Sequence, residues 1–127
     1  MNVAKFEIHL SGPGGAALPV GFEDAAERLT GIDRVDLEPD GHFLWMIDAQ
    51  EGRQLAGMLY DDGDRLQYVH LQGRCGWEDF QRFLDHLAPG HRDYRVTQLP
   101  GGRLQGLHTF RTAMWPEVSQ GPATEKF

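Results

Sequence analysis

The chain has 127 residues, a formal net charge of −7, 40% hydrophobic and 24% charged residues, and one cysteine, Cys75. That length suits one domain with a core of its own, and the composition is too apolar for a disordered chain. A lone cysteine cannot form an internal disulfide and points to a reducing, cytoplasmic setting. The longest apolar run, Phe43 to Ile47, is strand-sized. It falls short of the roughly 7–15 residues of a secretory signal and the roughly 20 of a membrane span, so the reading is a soluble protein with no membrane partner.

From the N-terminus, Ala4, Phe6, Ile8 and Leu10 alternate with Lys5, Glu7 and His9, the period of a half-buried strand. Ser11-Gly12-Pro13-Gly14-Gly15 ends it. Phe22, Ala25, Ala26 and Leu29 then recur at helical spacing, with Glu23 and Asp24 in the first turn, where the helix dipole favours acids, and Gly31 as the stop. Two hairpins follow. Val35–Leu37 and Phe43–Asp48 flank Pro39-Asp40-Gly41, and Leu55–Tyr60 and Arg65–Leu71 flank Asp61-Asp62-Gly63-Asp64; Asp-Gly supplies the positive φ of a tight turn. Between Gly76 and Leu87 the period becomes helical: Trp77, Phe80, Phe83, Leu84 and Leu87 form one stripe, with Glu78, Asp79, Gln81, Arg82 and Asp85 opposite, and Pro89-Gly90 closes the element. Tyr94–Leu99 reads as a strand. Residues 104–114 fit either a strand or a helix, since Leu104, His108 and Phe110 suit one and Leu107, Phe110 and Met114 the other.

These elements predict an α+β fold: a mainly antiparallel sheet of five to seven strands, with a meander of two hairpins and two helices packed on one face. The domain is expected to span 1–115, followed by a flexible C-terminal tail over 116–127. One feature is left over. Phe43–Ile47 is apolar on both faces, and Leu44, Met46, Ala56 and Met58 share the second face with no helix assigned to cover it. Either the N-terminal loop and the C-terminal segment cover it, or the patch is an interface with another protein or with a second copy of the chain.

Charge points the same way. Residues 1–64 hold thirteen Asp and Glu against four Lys and Arg, whereas residues 65–127 hold six against eight. Asp33, Asp36, Glu38, Asp40, Asp61, Asp62 and Asp64 concentrate the negative field, which disfavours a phosphate backbone and attracts a basic partner. A plain role in solubility is the alternative. The late basic group Arg92, Arg95, Arg103 and Arg111 lies in a chain far too acidic for a nucleic-acid reader.

The remaining motifs are weak. The glycine loop matches neither dinucleotide nor P-loop spacing, and Asp61–Asp64 lacks the later glutamate of a calcium loop. The six histidines lack zinc-ligand spacing, so no metal and no cofactor is expected. Ser11 and Ser119 stand in no nucleophile motif. Gly73-Arg74-Cys75-Gly76-Trp77 is the most chemically suggestive stretch. It sets a thiol beside an arginine and before a helix N-terminus, both of which favour thiolate, and His70 on the preceding strand is a candidate base. Two readings result: a non-enzymatic module that binds a protein partner, or itself, through a sheet face or its acidic first half; or a small thiol-dependent enzyme centred on Cys75 with His70 and Arg74. Small size, acidity and hairpins are shared with bacterial immunity proteins that neutralise basic toxins, a likeness of type that carries no motif.

Overall fold

In the computed structural model, which describes residues 2–117, the alternating segments become seven strands of one sheet. They are β1 (Ala4–Ser11), β2 (Val35–Leu37), β3 (His42–Asp48), β4 (Arg53–Asp61), β5 (Leu66–Cys75), β6 (Arg95–Gln98) and β7 (Leu104–Gly106). Their order is β2-β3-β4-β5-β1-β6-β7, and every neighbouring pair is antiparallel. The meander β2 to β5 is the two hairpins read from sequence. β1 then inserts between β5 and β6, which makes it a central strand. Gly41, at φ 104°, closes the first hairpin, where Asp40 accepts the His42 N–H at 3.0 Å.

The helices are α1 (Phe22–Thr30), α2 (Trp77–Leu87) and α3 (Leu107–Met114). Two were expected. The third comes from the ambiguous stretch 104–114, which is both things in turn: a three-residue strand, then a helix from Leu107. Pro13–Gly15 adds a single 3-10 turn. Of the expected tail 116–127, residues 118–127 lie outside the described residues. Of the other two, Glu117 accepts a hydrogen bond from Asn2 at 2.8 Å. No helix among the described residues is long and apolar enough to cross a membrane.

The α2 stripe behaves as its period requires. Trp77, Phe80, Phe83, Leu84 and Leu87 are all buried, each worth roughly 1.5–3 kcal/mol relative to exposure. Phe80 meets Phe6 of β1 edge to face at 5.5 Å, and Phe83 stacks on Phe43 of β3 at 5.5 Å. From α3, Phe110 also meets Phe6 at 5.5 Å. Register carries Phe6, Gly73, Leu55 and Trp45 straight across four strands on that same face, so α2 and α3 cover one side of the sheet. Gly73 is needed there, since a Cβ would come within 2.6 Å of Leu55 and 3.0 Å of the Phe6 ring. α1 lies against α2: Arg28 donates from Nε to the His86 carbonyl and from Nη2 to that of Leu87, both at 3.0 Å, and so satisfies two carbonyls at the α2 C-terminus.

Asp79 departs from its expected place on the polar side of α2. It is buried, and its carboxylate takes the Gly76 N–H at 2.9 Å and one nitrogen of Arg53, Nη1, at 2.8 and 2.7 Å. The pair ties the start of β4 to the start of α2.

Candidate functional site

The other side of the sheet carries no helix contact among the ring and hydrogen-bond contacts of the described residues. Pairing fixes which side chains meet there. One row runs His42, Met58, His70, His9, Thr97 and Leu104, from β3 to β7. The next runs Asp36, Leu44, Ala56, Gln72 and Glu7. Beside the first row Tyr60 stacks on Tyr68 at 4.7 Å, Tyr68 lies against His9 at 4.6 Å, and His9 meets His70 edge to face at 5.5 Å. A ridge of rings therefore crosses β4, β5 and β1. His70 Nε2 is 2.8 Å from Glu7 Oε2, which anchors one end. Partial burial, with His70 beside it, holds the His9 imidazole below its ordinary pKa of 6.5, against a smaller opposing pull from Glu7.

The three exposed large hydrophobic residues among the described residues all fall on this face: Leu44 (37% exposed), Tyr60 (37%) and Leu104 (48%). Met46, Ala56 and Met58 are half-buried around them. Two depressions flank the ridge. One, of about 460 Å³, is walled by His9, Tyr68, Thr97 and Leu104; the other, of about 680 Å³, by Lys5, Glu7, Gln72 and Arg74.

The predicted acidic residues gather at one end. The turns 38–41 and 62–65 lie side by side, because β3 leaves the same end of the sheet at which β4 arrives and β5 begins. Their carboxylates divide into two kinds. Asp40 and Asp62 close turns: Asp40 bonds both the backbone and Nδ1 of His42, and Asp62 Oδ1 takes the N–H of Asp64 and of Arg65 at 3.0 Å each. These backbone bonds hold both carboxyls below the ordinary value. Asp36, Glu38, Asp61 and Asp64 accept no side-chain hydrogen bond from any described residue and face solvent. Asp33 is exposed in the connection before β2, 4.0 Å from Arg34. Among the described residues, three potential metal ligands come together at Glu38, Asp40 and His42, whose ligand atoms lie within 4.8 Å of one another. All three are exposed, and the hairpin turn already accounts for Asp40 and His42.

The thiol constellation is not assembled. Positions five apart on a strand point to opposite faces, and β5 runs through Cys75. Cys75 is therefore in the core, fully buried, while His70 and Arg74 lie on the open side. Arg74 is occupied in donating to the carbonyls of Glu51 at 2.7 Å and Gly52 at 3.3 Å. Burial pushes the Cys75 thiol up to about 12, with Asp79 adding to the shift and Arg53 opposing it. At neutral pH the group is a thiol with no route to solvent. Alkylation of the folded protein at pH 7 is expected to run at least about 100-fold slower than that of free cysteine, and to reach the free rate on unfolding. Labelling of the native state as fast as free cysteine would place the sulfur at the surface.

Ring neighbours of His70 were not predictable from spacing. Glu7 and His9 belong to β1, and only its insertion beside β5 brings them to Tyr68 and His70. No family model matches the chain, and neither curated proteins nor solved structures yield a match.

Proposed function

We propose that the chain is a protein-binding module whose docking surface is the open face of the sheet, and that its partner is a basic protein. The observation that carries this reading is the gathering of Leu44, Tyr60 and Leu104 on one face, around a ridge of Tyr68, His9 and His70. An interface core is low in charge and rich in aromatic residues and Met, with a polar rim; this face has Leu44, Met46, Ala56, Met58, Tyr60 and Tyr68 at its centre and charged side chains at its ends. Scattered exposed hydrophobics need no explanation, but neighbouring ones do: Leu44, Ala56 and Met58 adjoin across β3 and β4 with Tyr60 further along β4, whereas Leu104 stands apart on β7.

The choice of a basic occupant rests on the surplus carboxylates. The carboxylates of Asp36, Glu38, Asp61 and Asp64 accept no side-chain hydrogen bond from the described residues, and they stand at the edge of the patch. A second copy offers few free cations in return: of Lys5, Arg74 and Arg95 on its open face, Arg74 is already bonded to the turn after β3 and Arg95 to Asp93 at 3.1 Å. Opposite charge at the rim steers association and selects the partner.

The test uses the wild-type chain and the double variant Leu44→Glu/Met58→Glu as paired baits in lysate of the source cells. Both positions are on the open face, so the variant is expected to fold, with a loss of stability on the order of 1 kcal/mol from setting a carboxylate directly opposite Asp36. The expected result is a basic protein retained by wild type, lost with the double variant, and weakened by Asp61→Asn/Asp64→Asn. An identical retained set for all three baits contradicts the proposal. Light scattering decides the identity of the occupant: a dimer that forms with concentration and is dissolved by Leu44→Glu/Met58→Glu would make it a second copy.

A further inference from the structure

On the helical side, α2, α3 and the loop 88–94 enclose a cleft of about 490 Å³ that the docking surface does not use. Its size is that of a small-molecule site. The apolar part of its wall is Trp77, Leu84 and Leu107, and the charged part is Arg92, Arg111 and a single carboxylate, Asp85. In a chain of net charge −7, this hollow is locally positive. It collects two of the four late arginines; neither Arg95 nor Arg103 lines it.

Two polar atoms at the cleft lack partners among the described residues. Arg111 holds its guanidinium 4.5 Å over the Trp77 ring, yet its Nε is buried and makes no hydrogen bond to the described residues. His91 packs edge-on against Tyr94 at 4.6 Å, and its Nε2 is likewise buried and unbonded. Tyr94 donates its O–H to the Leu84 carbonyl at 3.0 Å. Buried donors without acceptors are rare and costly in a folded protein. The Arg111 Nε–H lacks an acceptor among the described residues, and the His91 ring, whose Nε2 donates or accepts according to its tautomer, lines the same cleft. A guanidinium fixed on an indole face is pre-oriented for the planar oxygens of a carboxylate or phosphate.

We infer that this cleft binds a small organic anion, with a carboxylate or phosphate group received by Arg111, Arg92 and His91, and a hydrophobic body against Trp77, Leu84 and Leu107. Phenyl phosphate, benzoate and inorganic phosphate are the probes, titrated at constant ionic strength into isotope-labelled protein and followed by NMR. Saturable shifts are expected at the Trp77 indole N–H, His91 and the Arg111 Nε–H. Phenyl phosphate is expected to bind more tightly than inorganic phosphate, and its comparison with benzoate identifies the preferred acid group. Arg111→Gln is expected to weaken binding about tenfold, the loss typical of one charge-assisted hydrogen bond. Arg92→Gln, at an exposed position, is expected to weaken it without altering the fold. Shifts that never saturate, that centre elsewhere on the molecule, or that neither substitution changes would overturn the assignment. Equal affinity for inorganic and phenyl phosphate would remove the hydrophobic body from it.

Discussion

Phe80→Ala is expected to lower the free energy of unfolding by about 4 kcal/mol, the middle of the range for deleting a buried ring. Phe80 is fully buried, and four aromatic neighbours surround it. Phe6 lies at 5.5 Å, Phe110 and Trp115 at 5.7 Å, and Trp77 at 6.0 Å between centroids. These come from β1, α3, α2 itself and the residue after α3, so truncation opens a cavity where the sheet and two helices meet. Large rigid rings cannot collapse into that space as aliphatic chains do, and the edge-on contact with Phe6 is lost as well. A domain of this size has only about 5–15 kcal/mol to lose. Urea denaturation should show the midpoint falling with an unchanged slope. A loss below about 1.5 kcal/mol would mean that Phe80 is not at the junction of the layers.

The second large effect is expected at Asp79. Its side chain is 11% exposed and that of Arg53 14%, so the two charges sit in a poorly solvated place. Asp79→Ala removes the acceptor for Arg53 and for the Gly76 N–H together. Arg53 keeps Glu51 at 2.8 Å and Asp48 at 3.8 Å, which softens the loss. The cost should be about 3 kcal/mol, at the lower edge for breaking a buried pair and with loss of the helix cap included. Removing both charges by Arg53→Met/Asp79→Ala should destabilise less than the sum of the single changes, because neither partner is then stranded. Additive losses in denaturation would show that the two side chains act independently.

Much of this architecture is legible in the sequence. Period two over Ala4–Leu10, the Asp-Gly turns and the Trp77–Leu87 stripe each mark an element whose local chemistry agrees with its place in the fold. The order of strands is not marked in this way. Nothing in residues 4–11 says that β1 lies between β5 and β6, so the meeting of His9 with Tyr68 and His70 could not be foreseen. Residues 104–114 were ambiguous because Gly106 is where a strand turns directly into a helix, and a window that spans both averages two periods. Asp79 was misplaced for a related reason: a helical stripe describes average burial, and a carboxylate at the third position can turn back on the preceding N–H and meet an arginine from another strand. The separation of Cys75 from His70, by contrast, was available from parity alone once β5 extends to Cys75. Leu44, Met46, Ala56 and Met58 share one face of β3 and β4, a grouping legible in the sequence because alternation fixes faces even where strand order is unknown.

The central claim is that this face receives a basic protein, and its most direct measurement is the affinity of the purified partner for wild type and for Leu44→Glu/Met58→Glu under identical salt. Two carboxylates placed at the centre of a desolvated interface should weaken binding by at least about 100-fold, a loss on the scale of truncating a single hot spot. Equal affinity for both proteins, within about twofold, would show that the partner binds elsewhere and would contradict the account.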